Sequence, residues 1–61
     1  MNEPKYMTEA EIAKMLNISA YSLAELRKRG LGPPFIKLGG QVRYIKESVN
    51  HWAKTQERKR I

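Results

Sequence analysis

Apolar residues in the first third of the chain recur at helical spacing. They are Ile12, Ala13 and Leu16, which share one face of a helix with 3.6 residues per turn. Thr8 stands three residues before Glu11, the spacing of a capping box, in which each residue's side chain accepts a hydrogen bond from the other's amide. Asn17 tolerates the left-handed conformation that ends helices. The pattern predicts a first helix from about Glu9 to Leu16.

A second helical stretch begins after a very short turn. Ser19 is a favourable N-cap, and Leu23 and Leu26 are spaced to face inward. Gly30 closes the stretch, so we predict a helix from about Ala20 to Arg29. Two short helices joined by a turn of about three residues form a helix-turn-helix.

The next segment reads as a β-hairpin. Gly32-Pro33-Pro34 interrupts the helical pattern, and the strand-like segments 35–38 and 41–44 follow it. Gly39 and Gly40 lie between them and can supply the positive φ angles of a tight turn. Because an isolated hairpin is marginal in water, we expect this two-stranded wing to pack on the helices.

A third helix is predicted from Glu47 to about Gln56, with its apolar side toward the core. That side carries Val49, Trp52 and Ala53. We expect Trp52 to anchor the core beneath the hairpin, and Tyr44 to pack with its hydroxyl at the surface. The predicted fold is therefore mainly α with a small β-hairpin, a winged helix-turn-helix. It forms one domain over residues 1–61, with 1–5 and 57–61 flexible.

The distribution of charge along the chain indicates what kind of partner the protein binds. The 61 residues carry a net charge of +6, with 12 Lys and Arg against 6 acidic residues. Between Leu26 and Lys46 every charged side chain is basic. Small proteins are often basic merely for solubility, but this clustering favours a polyanion as partner.

Several function classes find no support in the composition. The chain has no Cys or Asp and one His, and its serines have no partner base, so we expect neither an enzyme nor a bound metal or cofactor. No apolar run approaches the roughly 20 residues of a membrane span. The start resembles no signal peptide. We expect a cytoplasmic protein without membrane association or a small-molecule ligand.

The order of these pieces resembles a known family. The segments that carry the resemblance are Tyr6-Met7-Thr8-x-x-Glu11-Ile12-Ala13-x-x-Leu16-x-Ile18-Ser19, Leu23-x-x-Leu26-Arg27-x-x-Gly30, Gly32-Pro33-Pro34-x-x-Lys37-Leu38-Gly39, Val42-Arg43-Tyr44 and Val49-x-x-Trp52. Over about residues 6 to 53 the chain is similar to the small excisionases and AlpA-like phage regulators, relatives of the MerR-type DNA-binding domain.

The resemblance implies a mode of DNA binding. Helix two would lie in the major groove, and the wing would reach an adjacent minor groove or the backbone. The candidate contacts on helix two are Ser19, Ala20, Tyr21, Ser22, Glu25, Lys28 and Arg29, and those on the wing are Lys37, Gly39, Gly40, Gln41 and Arg43. Relatives often carry polar or basic residues where this chain has Ala20-Tyr21, and a basic residue in place of Gln41. The family therefore does not supply the base sequence that this chain reads.

Several residues of the second helix have two possible roles. Tyr21 either contacts DNA or is an ordinary exposed tyrosine, and we favour the contact. Glu25 either accepts from a cytosine amino group or pairs with Arg29 four positions later, and we favour the pair. Lys28 and Arg29 either complement the helix dipole or hold a phosphate.

Sequence-specific binding of double-stranded DNA is the predicted function, as an excisionase or as a small transcriptional regulator of a phage or mobile element. An integrase or recombinase and neighbouring copies of the chain on tandem sites are the further expected partners. Only nine residues follow Trp52, so we expect no effector domain that senses a ligand. The alternatives are a protein-binding module that inhibits a partner, and the DNA-binding domain of a larger recombinase.

Overall fold

A computed structural model describes residues 5–57, and the predicted winged helix-turn-helix is confirmed. The elements are β1 (Tyr6–Met7), α1 (Glu9–Leu16), α2 (Ala20–Lys28), β2 (Ile36–Leu38), β3 (Gln41–Ile45) and α3 (Lys46–Thr55). Most of the two termini predicted to be flexible, residues 1–4 and 58–61, lies outside the described residues.

The first helix begins and ends where its sequence signals place it. The Thr8 amide donates to Glu11 Oε1 at 2.8 Å, and the Glu11 amide donates to Thr8 Oγ1 at 3.1 Å, so the capping box is complete. Asn17 adopts the left-handed conformation with φ 62°. The turn is closed by the Ile18 amide, which donates to the Ala13 carbonyl at 3.0 Å.

The second helix starts at its predicted cap and ends one residue earlier than predicted. Ser19 Oγ accepts from the Ser22 amide at 3.0 Å. Arg29 is the capping residue at the other end, and Gly30 follows with φ 73°, a conformation that suits glycine. The Leu31 amide reaches back to the Leu26 carbonyl at 2.9 Å and completes the stop.

The wing is a hairpin of β2 and β3 with a two-residue turn. Leu38 pairs with Gln41, and the intervening Gly39 and Gly40 have φ 59° and 81°, both in the left-handed region. The predicted two-stranded wing is confirmed, and a third strand that the sequence pattern did not indicate, β1, pairs antiparallel with β3 and makes a sheet of order β1-β3-β2. The third strand ties the hairpin to the start of α1.

A small core lies between α1, α2, α3 and the sheet. Its buried members are Ile12, Ala13, Leu23, Tyr44 and Val49, and the half-buried Met7, Met15, Leu16 and Val42 pack against it. The prediction that Trp52 anchors this core is wrong, because Trp52 is only half-buried and outside the cluster. Tyr44 is the largest fully buried side chain and takes the central place, since β3 lies in the middle of the sheet.

Candidate DNA-binding surface

One face of α2 is left uncovered by the rest of the fold. Tyr21, Glu25 and Lys28 follow one another at four- and three-residue intervals, so they form a stripe along this face. Tyr21 is 74% exposed, the highest value among the exposed large hydrophobic side chains. Lys28 is exposed and Glu25 half-buried. The stripe therefore presents an aromatic ring, a carboxylate and an ammonium group along one side of the helix.

The leading end of α2 carries two serines with different tasks. Ser19 Oγ accepts from the Ser22 amide and donates to Ser22 Oγ, both at 3.0 Å. Since the Ser22 oxygen accepts in this pair, its own hydroxyl hydrogen is left to donate outward. Ala20 beside them is also exposed and places no bulk in front of the helix end. Ser19 thus caps the helix, and Ser22 can serve a ligand.

The favoured pairing of Glu25 with Arg29 is wrong. Within residues 5–57 Glu25 forms no ion pair, and the one ion pair there joins Glu9 to Arg27. An exposed pair at this spacing is worth only about 0.2 to 0.5 kcal/mol in a helix, so solvent competes with it. The Glu25 carboxylate and the Arg29 guanidinium are therefore both left to an external partner.

The three basic residues 27–29 do not all face solvent. Arg27 is half-buried, and its Nε donates to Glu9 Oε2 at 2.6 Å, while Nη2 donates to Oε1 at 3.3 Å. The same guanidinium lies 5.8 Å above the ring centroid of Phe35. Lys28 and Arg29 are exposed. The run thus contributes two charges to the outer surface, and the third is used inside the fold.

Tyr44 completes a polar cluster with Glu9 and Arg27. Its hydroxyl donates to Glu9 Oε2 at 2.7 Å, so the expectation that this hydroxyl lies at the surface is wrong. The hydrogen bond from Arg27 holds the pKa of the Glu9 carboxyl below its ordinary value. Burial raises the pKa of the Tyr44 phenol, and the Glu9 carboxylate raises it further. The phenol therefore stays protonated and remains a donor.

The two basic residues of the wing lie on opposite faces of the hairpin. Lys37 pairs with Val42, whose side chain packs against the core, so Lys37 shares the core-facing side beyond the edge of the core. Arg43 pairs with Ile36 and lies on the opposite side. The hairpin thus presents a positive charge on each face.

Arg43 is held in place on β3, beyond the turn of the wing. Its Nη2 donates to Gln41 Oε1 at 2.8 Å, and its Nη1 donates to the Val42 carbonyl at 2.7 Å. Gly39, Gly40 and Gln41 are exposed at the tip of the wing. Gln41 therefore orients the guanidinium, a role that its sequence position alone did not reveal.

The structure places the predicted contact residues in two regions, the α2 face with its leading end and the wing. Glu9 is paired with Arg27 and Glu11 is used in the helix cap. No three His, Cys, Asp or Glu side chains within residues 5–57 are grouped so that they could hold a metal. Over the same part of the chain, no helix is both long and apolar enough to cross a bilayer.

The chain is similar over most of its length to one protein family. A family model described as a helix-turn-helix domain matches residues 6–57, from β1 through the end of α3. A search of curated proteins returns no match.

Proposed function

The chain belongs to the helix-turn-helix domain family, and from that premise we propose that it binds double-stranded DNA at specific sequences. The observation that carries the proposal is the uncovered face of α2, with Tyr21 74% exposed and Ser22 free to donate at its leading end. A major groove about 12 Å wide admits one α-helix, and base pairs are fully distinguishable only there.

Helix two supplies the contacts that read bases. Ser22 and Tyr21 enter first because the N-terminal residues of a reading helix lie nearest the base edges. Ser19 and Ala20 are exposed at that end, where free amides favour a phosphate. Glu25, which has no ion pair within residues 5–57, can accept from a cytosine amino group. Lys28 and Arg29 are exposed at the far end of the helix and hold the backbone.

The wing supplies contacts that position the protein without reading bases. Arg43, oriented by Gln41, meets a phosphate or the adjacent minor groove. The glycines of the turn, Gly39 and Gly40, let the backbone approach closely, since neither carries a side chain. Lys37 on the other face adds to the positive field that attracts DNA.

The biological role that fits such a protein is that of an excisionase or a small transcriptional regulator of a phage or mobile element. One domain of this size contacts few phosphates, so affinity would come from neighbouring copies on tandem sites. In the excisionase role a recombinase is the second partner. The protein acts in the cytoplasm, by binding and without catalysis or a small-molecule ligand.

Selection of bound sequences from a pool of random duplexes tests the proposal. We expect one enriched motif, and we expect Tyr21→Ala or Ser22→Ala to change the preferred bases within it. Enrichment of no motif would contradict sequence-specific binding. A stoichiometric protein partner, captured by a chain that has no affinity for duplexes, would favour the protein-binding alternative.

The two biological roles are separated by a second experiment. A reporter flanked by the attachment sites of a mobile element is excised by that element's recombinase in the presence or absence of this protein. Stimulated excision identifies an excisionase. Unchanged excision, together with altered transcription from a promoter that contains the selected motif, identifies a regulator.

A further inference from the structure

The Glu9 carboxylate joins three elements at one point. It accepts from Arg27 of α2 and from Tyr44 of β3, while Glu9 itself belongs to α1. Both of the shorter bonds, at 2.6 and 2.7 Å, end on the same oxygen, Oε2. The helix proposed to read bases and the strand that carries the wing are therefore joined through one carboxylate group.

Few other polar contacts hold the hairpin against the helices. Within residues 5–57 the side-chain hydrogen bonds that join β2 or β3 to α1 or α2 converge on the hydroxyl of Tyr44, and the bond at 2.7 Å goes to Glu9. Arg43 bonds only within its own strand, to Gln41 and Val42. Apolar packing is less directional than a hydrogen bond, because it depends on buried area and not on angle. The pairing of β1 with β3 holds the hairpin at the start of α1, and the bond from Tyr44 to Glu9 adds a directional side-chain contact that fixes the angle of the wing.

Resting on the proposed function, we infer that Tyr44 and Glu9 are positioning residues for DNA binding, which fix the wing at the angle where α2 and Arg43 contact one duplex together. Neither residue touches the DNA in this arrangement. Tyr44 is fully buried, and Glu9 is occupied by Arg27 on its other side. Their effect on binding therefore passes entirely through the geometry of the wing.

A distance measurement on the free protein tests the positioning itself. The chain has no native cysteine, so spin labels at Lys28→Cys on α2 and Lys37→Cys on β2 report the distance between helix and wing. We expect Tyr44→Phe to broaden the distance distribution at a temperature where the variant remains folded. Tyr6→Phe is the matched control, because Tyr6 is 45% exposed and its hydroxyl has no hydrogen bond within residues 5–57. Equal widths in wild type and Tyr44→Phe would overturn the inference.

A second variant distinguishes the effect of the Tyr44–Glu9 hydrogen bond from that of the Glu9–Arg27 ion pair. It also provides a test of the inference if Tyr44→Phe does not fold. Glu9→Gln keeps an oxygen that accepts from Tyr44 but loses the charge that pairs with Arg27. We expect its distance distribution to stay as narrow as that of the wild type. If Glu9→Gln instead broadens the distance distribution as much as we expect for Tyr44→Phe, the ion pair with Arg27 positions the wing. That result would overturn the role of Tyr44.

DNA binding supplies the functional readout. In the wild type, Arg43→Ala should reduce the slope of log affinity against log salt by about 1 for the lost phosphate contact. In a Tyr44→Phe background the same substitution should change the slope little, because the wing no longer meets the duplex in a fixed position. Equal effects of Arg43→Ala in both backgrounds would contradict the inference. If the wild type binds no duplex, the proposed function fails, and the distance measurement alone decides the positioning.

Discussion

The hydroxyl of Tyr44 donates to Glu9 Oε2 across 2.7 Å and links residues that stand 35 positions apart in the chain. The bond lies beside the core, where Tyr44 is fully buried and Glu9 is partly exposed. Its acceptor is charged, which makes such a bond roughly twice as strong as one between neutral groups. The link therefore contributes to stability as well as to the placement of the wing.

Removing only the hydroxyl should destabilise the protein measurably. We expect Tyr44→Phe to lower the free energy of unfolding by about 1 to 2 kcal/mol, because a hydrogen bond to a charged group is lost and the acceptor is partly solvated. Urea unfolding followed by circular dichroism measures the change. Tyr6→Phe, which removes an exposed hydroxyl, should leave the midpoint unchanged. Equal midpoints for wild type and Tyr44→Phe would contradict the importance of the bond.

Acid should remove the contribution of the ionised Glu9 carboxylate to the stability of the fold. Arg27 lowers the pKa of the Glu9 carboxyl below its ordinary 4.5, so the folded state favours the ionised form. This stabilisation is complete above pH 4.5 and is lost as the pH falls through the lowered pKa of the folded state. We expect Glu9→Gln to be less stable than the wild type at pH 7 and the difference to shrink below pH 4.5. Thermal melts across this range provide the measurement, and a difference independent of pH would argue against the ion pair.

The turn of the wing should tolerate only residues that accept a left-handed backbone. Gly40 has φ 81°, and a Cβ added there meets no atom within 4 Å, so conformational strain is the only cost. We expect Gly40→Ala to cost about 1 kcal/mol of unfolding free energy. Gly40→Asn should cost less, since Asn enters this region more readily. Urea melts of the two variants compare these costs, and an Ala variant as stable as the wild type would show that the turn adopts another conformation.

Substitution of Ser19 should affect the stability of the protein, whereas substitution of Ser22 should affect its recognition of DNA. Ser19→Ala removes the cap of α2 and should cost about 1 kcal/mol of stability. Ser22→Ala leaves that cap intact, because Ser19 accepts from the backbone amide of Ser22 and not from its hydroxyl. It should therefore melt close to the wild type while its selected DNA motif changes. Equal destabilisation by both substitutions would contradict this division of tasks.

Helix ends were predictable because their signals are local. The capping box of α1, the left-handed Asn17 and the Gly39-Gly40 turn all depend on residues within a few positions of one another. Strand β1 has two residues, too few for an alternating pattern to appear. Its existence follows from its pairing with β3, which only the folded chain shows.

The polar cluster of Glu9, Arg27 and Tyr44 could not be predicted, because its members come together only in the folded chain. Glu9 and Arg27 are 18 positions apart, so no local spacing rule relates them. Tyr44 and Trp52 were both candidate core residues by type and spacing. The position of β3 between β1 and β2 decides that Tyr44 is central and Trp52 peripheral. The uncovered α2 face, in contrast, follows from the inward Leu23 and the helical period alone.

The salt dependence of binding to a selected duplex tests the central claim most directly. Fluorescence anisotropy with a labelled duplex gives the affinity at a series of salt concentrations, with a scrambled duplex as control. We expect log affinity to fall linearly with log salt, with a slope of about −0.9 for each neutralised phosphate, and the selected site to bind more tightly throughout. An affinity that does not change with salt, or that is the same for both duplexes, would contradict sequence-specific DNA binding by α2 and the wing.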